Sequence, residues 1–207
     1  MHRLSYIILH IINISVIITV GDNMYFMIGS IIAISIIGTL SHFLYDMTNH
    51  NRVIGLFSAV NESVWEHVKI TLTPTLLWAL IDGFIYGSNP RYFLAKFVSL
   101  LILIVLMPIL YYGHKFVTKK EMFMLDILNF YIVIIASQLA FYWLLRIPSI
   151  DYIVQYISCV GLFMVYGGYM IHTLMPPKSF MFLDPITKKY GFEGHSEIEH
   201  KSGKKKK

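Results

Sequence analysis

Long runs without a single formal charge dominate this chain, and they leave few folds open to it. Residues 24–45 (MYFMIGSIIAISIIGTLSHFLY) make 22 consecutive uncharged positions, and residues 152–175 make 24. A helix needs about 20 apolar residues to cross the hydrocarbon core, where water is absent and the backbone must satisfy its own polar groups. Three further stretches fit the same template. One covers 64–87, where residues 70–87 hold Asp82 as their only charge; the others cover 92–113, with Lys96 near an end, and 122–145, with Asp126. A lysine so placed is expected to snorkel toward water. Residues 4–20 form a shorter apolar run, which as a helix rises roughly 26 Å. At 56% hydrophobic and 14% charged, the chain is too apolar for a soluble domain of its size. The pattern predicts an all-α, polytopic helical membrane bundle with five or six transmembrane helices. It forms a single domain over 1–192, followed by a disordered basic tail, 193–207.

Flanking charges set the expected orientation. With six spans and an inner amino terminus, the cytoplasmic segments hold Arg3, Arg52, Lys69, Lys115, Lys119, Lys120, Lys178, Lys188 and Lys189. The outer side holds only Arg91, Lys96 and Arg146. The positive-inside rule therefore puts the carboxyl terminus in the cytoplasm of a cell whose inner (plasma) membrane carries the protein. Without the first span, the amino terminus moves outside and every later loop keeps its side. An uncleaved helix is expected over 4–20, because Thr19-Val20-Gly21 makes a poor cleavage site and the next span follows at once. Trp65, Tyr111 and Tyr112 fall at the inner boundary, and Tyr86, Tyr92, Trp143 and Tyr152 at the outer one, as an aromatic belt requires. Cys159 is the sole cysteine, so no disulfide framework exists. No internal repeat is visible, which removes the usual pointer to an inverted-repeat transporter.

Pro176-Pro177 ends the last span, because proline lacks an amide donor and restricts the residue before it. The stretch 178–192 (KSFMFLDPITKKYGF) keeps enough apolar residues to lie ordered against the bundle or the membrane. Beyond it, Lys204, Lys205, Lys206 and Lys207 offer contact with anionic lipid, about 1 kcal/mol per charge near the surface. A purely solubilising role for that lysine run is the simpler reading. The bilayer is the expected partner, and no nucleic acid is.

The connection between the second and third predicted spans gathers chemistry. It holds His42, Asp46, His50, Glu62, Glu66 and His67 at one membrane face. His42 and Asp46 are four apart on a helix, as are Glu62 and Glu66, and Ser63 and His67. Carboxylates and imidazoles at that spacing suit general acid–base catalysis or a divalent metal, with Glu62, Glu66, His67, His42 and Asp46 as working groups. His172, near the inner end of the last span, stands at a similar depth and joins His42, Glu62 and His67 as a candidate metal set. Ionisable side chains at membrane depth are costly and are functional candidates by default. A plainer reading competes: Ser63-Val64-Trp65-Glu66 has the form of a capping box, which needs no chemistry. Asp126, Asn129 and Gln138 suit interhelical hydrogen bonding, and Pro74 and Pro108 suit kinks with Thr71 and Thr73 nearby to pair freed backbone groups.

Three groups of residues carry a family resemblance: His42 to Asp46 (HFLYD), Asn61 to His67 (NESVWEH), and Pro176, Pro177, Asp184, Pro185, Tyr190 and Gly191. On these, the chain resembles a family of bacterial multi-pass membrane proteins of unknown function, from about Gly38 to Phe192. The resemblance implies a membrane fold and no activity. Separately, Ser63-x-x-x-His67 is similar to the serine–histidine pair of zinc-dependent membrane hydrolases such as alkaline ceramidases and adiponectin receptors. Their pattern also needs an aspartate and a late His-x-x-x-His pair, whereas here Pro176 stands where a partner of His172 belongs.

Three functions are open at this point. One is a membrane-embedded hydrolase acting on a lipid or peptide at the cytoplasmic leaflet. Another is a proton-coupled transporter using Asp82 and Asp126. The third is a non-catalytic partner, an immunity or assembly factor, in which the cluster only fixes a helix turn. The discriminator is whether the cluster meets around a water-accessible cavity or splays into solvent.

Overall fold

The computed structural model describes residues 24–119, 122–148 and 150–195. Helix α1 runs Met24–Met47, a one-turn α2 Arg52–Gly55, α3 Val64–Tyr86, α4 Tyr92–Thr118, α5 Phe123–Leu144 and α6 Tyr152–Leu174, with a 3-10 turn at Gly191–Gly194. Five of these helices are long and apolar enough to cross a membrane, and the chain is a multi-pass membrane protein. The apolar run at 4–20 lies outside the described residues.

Short links between long helices force neighbours to run antiparallel. Helix α4 packs along α3, α5 and α6, and α1 lies against α3 and α5. Helix α3 is the central element, with half of its apolar window buried inside the bundle. Ile34, Val68, Leu72, Leu103, Val133 and Tyr169 form the main core. A second cluster around Tyr86, Tyr92, Phe141 and Tyr142 closes the opposite end.

Both prolines sit inside continuous helices, Pro74 in α3 and Pro108 in α4. Pro74 cannot donate to the Ile70 carbonyl four residues back. The hydroxyl of Thr71 donates to Val68 O instead (2.7 Å), so it does not rescue that carbonyl. What approaches Ile70 O is Gly38 of α1: a Cβ built there would lie 2.8 Å from this oxygen and 2.7 Å from the Phe130 ring. A residue without a side chain is what lets α1, α3 and α5 cross so closely.

Lys96 does not snorkel. It is 1% exposed and pairs with Asp82, whose second oxygen accepts the Tyr92 hydroxyl (2.8 Å). The Lys96 ammonium also lies 4.1 Å from the centre of the Phe141 ring. Burial is sustained because every charge in the group has a partner.

Candidate functional site

Helix α1 ends in a turn held by Thr48 N–H to Leu44 O and His50 N–H to Tyr45 O (3.2 and 3.0 Å). Asn51 then caps α2, its side-chain oxygen accepting Val53 N–H at 2.9 Å. The chain re-enters the bundle at Ser58 and reaches α3 through Asn61, Glu62 and Ser63. This last step is built by the carboxyl-terminal segment. Asp184, 1% exposed, accepts the backbone N–H of Glu62 at 2.9 Å. Its other oxygen takes the amide and the hydroxyl of Thr187. Asn61 donates to Gly191 O (2.8 Å) and accepts Ser63 N–H (2.8 Å). Trp65 N–H reaches Met181 O (3.0 Å). A distant part of the chain thus meets the open Trp65 amide of α3 and the Glu62 amide just before the helix.

The capping box does not form. Ser63 is the N-cap residue, but its hydroxyl makes no capping bond. Glu66, 2% exposed, reaches back to Val60 N–H (3.0 Å) and pairs with Lys69 (2.6 Å), whose ammonium also donates to Gly55 O (2.9 Å). Glu66 therefore ties α3 to the α2 turn.

Glu62 is different. Its carboxylate is half exposed (47%) and stands between two imidazoles from two helices. His42 Nε2 of α1 is 3.7 Å from Oε1, and His67 Nε2 of α3 is 4.0 Å from Oε2. Both spacings exceed a direct hydrogen bond; the groups ring a common point. The His42 and His67 ring centres are 5.9 Å apart. His67 Nδ1 lies 3.0 Å from Ser63 O. A carbonyl can only accept, so Nδ1 carries a proton and Nε2 of the neutral ring keeps a lone pair toward Glu62.

These groups line one wall of a cavity of about 540 Å³. Apolar side chains such as Phe43, Ile70, Phe123, Ile127 and Phe130 make most of the rest, with Pro185 and Ile186 of the tail at its rim. Asp126 of α5 also faces it. His114 of α4 lies 3.4 Å from that carboxylate through Nε2, and the Asn129 amide lies 3.0 Å from His114 Nδ1.

Besides Glu66, two more expected members lie elsewhere. Asp46 shares a helical face with His42, yet its carboxylate turns to His50 (3.4 Å) and His195 (3.3 Å) at the end of α1. His172 packs edge-on to Trp65 and tilted against Phe182, ring centres 5.4 and 5.6 Å away. Sequence reasoning passed over Asp184, His114 and His195. His114 had a readable signal: six residues either side of a short helical hairpin, it and Asp126 must face one another. Asp184 stood out only among the residues of the family resemblance and His195 not at all, because only the return of the tail brings them in.

The chain belongs to a family of unknown function (DUF6512), whose model matches residues 15–192. The match begins well before Gly38, so it takes in the end of the first apolar run. No curated protein and no solved structure matches the chain.

Proposed function

We propose that this protein is a membrane-embedded hydrolase whose cavity takes the polar group of an amphiphilic substrate at the cytoplasmic face. One observation carries the reading: two imidazoles from different helices converge on Glu62 at the wall of a mostly apolar cavity. Of the five expected groups, His42, Glu62 and His67 meet around a cavity, which favours chemistry over a purely structural turn. Acyl chains fit walls of Phe43, Phe123 and Phe130, and a head group with hydrogen-bond donors fits Glu62 and Asp126.

In this reading His67 Nε2 accepts a proton from water while Glu62 orients both. The resulting hydroxide adds to a carbonyl or phosphoryl centre, the bond to the leaving group breaks, and the His67 imidazolium returns its proton to the departing atom, while His42 on the other side of Glu62 orients the substrate. The donor spacings of 3.7 and 4.0 Å are wider than the about 3.3 Å edge of a tetrahedral zinc site. With His172 packed away as well, direct acid–base chemistry fits these distances better than a resident metal. A cytoplasmic face is supported by Arg52, Lys115, Lys119, Lys178, Lys188 and Lys189, which belong to the end of the bundle that holds the cavity.

The test uses purified protein in proteoliposomes with fluorogenic phospholipids and acyl nitrophenyl esters. Turnover that falls by about 10²–10⁴-fold in His67→Gln and Glu62→Gln supports the reading. Turnover unchanged in the double variant sinks it, as does a wild-type protein inert across the panel.

A further inference from the structure

The geometry points to a zinc-class divalent cation site formed by Asp46, His50 and His195, separate from the cavity. The ligand atoms of these three residues all lie within 4.8 Å of one another. His50 Nε2 and His195 Nε2 stand 3.4 and 3.3 Å from the same oxygen, Asp46 Oδ1. Bonds of about 2.0–2.1 Å around a tetrahedral ion put neighbouring donors about 3.3 Å apart, so the two contacts have the length of coordination edges.

The imidazole of His195 is also set for the role. Its Nδ1 is 3.1 Å from Val60 O. That carbonyl must accept, so Nδ1–H is the donor and the Nε2 lone pair of the neutral ring points at a carboxylate. A cation between them turns that repulsion into attraction, and a backbone acceptor behind the ligand is the usual partner of a metal-binding histidine. His50 is delivered by an uncommon backbone: Asn49 and His50 are both left-handed (φ 52° and 60°). This conformation folds His50 back over Asp46, four residues earlier, and its ring centre lies 4.2 Å from that of His195. Two imidazoles and one carboxylate suit zinc over magnesium or calcium. Asp46 and His50 are largely exposed, so water completes the coordination. The ion would clip the carboxyl-terminal segment to the turn after α1, fixing the tail that anchors Glu62.

The experiment is zinc titration of the chelator-stripped full chain in detergent, followed by elemental analysis. Wild type should retain about one equivalent and melt several degrees higher with zinc. Asp46→Asn, His50→Gln and His195→Gln should each weaken binding by more than the about 10–100-fold typical of losing an outer-shell partner. Cobalt should give a visible ligand-field band that His195→Gln abolishes. A wild type that takes up no zinc overturns the proposal. So does zinc that survives His195→Gln, or is lost only in His67→Gln.

Discussion

At the scale of single residues, neighbours four apart in sequence have opposite duties. Glu66 is sealed in an ion pair with Lys69, and Glu62 stands in the cavity with its backbone held by Asp184. Glu66→Gln should therefore cost about 3–5 kcal/mol, because it strands the buried Lys69 charge, measured as loss of thermal or denaturant stability in detergent. Glu62→Gln should change stability by no more than about 0.5 kcal/mol while removing turnover. Ser63→Ala should be nearly silent in melting, since no capping bond is lost. A Ser63→Ala loss as large as the about 0.5–2 kcal/mol of a true cap would restore the capping box. Asp184→Ala takes the side-chain acceptor from the Glu62 and Thr187 amides, while the Thr187 hydroxyl keeps the Gly194 carbonyl (3.0 Å). It should lower stability by about 1–3 kcal/mol per stranded group and weaken activity without touching substrate.

At the scale of elements, two glycines of α1 make a controlled comparison. Gly38 faces the Ile70 carbonyl and the Phe130 ring, whereas a Cβ on Gly29 meets nothing within 4 Å. Gly38→Ala should force α1 off α3 and cost about 1–3 kcal/mol; Gly29→Ala should be neutral or slightly stabilising through helix propensity. Equal melting temperatures for the two variants would show that the crossing is looser than described. The Asp82–Lys96 pair joins α3 to α4 far from the site. Its complete partnering speaks for a structural tie, not for a titrating relay.

At the scale of the molecule, both carboxyl-terminal and loop segments that build the cavity belong to one end of the bundle. In a Cys159→Ser background on intact cells, Ser88→Cys should react with an impermeant thiol reagent and Lys119→Cys should not. Both positions are exposed, so the reverse pattern would invert the proposed orientation and move the cavity to the outer face.

Hydropathy alone determined the five long helices and their approximate ends, because the bilayer admits only self-satisfied backbone and the needed length is set by its thickness. It also marked His42, Glu62 and His67, since polar groups stand out against apolar runs. What it did not determine is which of several equally spaced polar residues meet. Four-residue spacing put Asp46 beside His42 and Glu66 beside Glu62; in the fold Asp46 turns to His50 and the distant His195, and Glu66 to Lys69. Local periodicity fixes only the face of a helix. The direction a carboxylate takes from that face depends on where its counter-charge arrives: Lys69 stands three residues past Glu66 and His50 four past Asp46, whereas His195 reaches Asp46, and Asp184 the Glu62 amide, from a return of the chain more than 100 residues away.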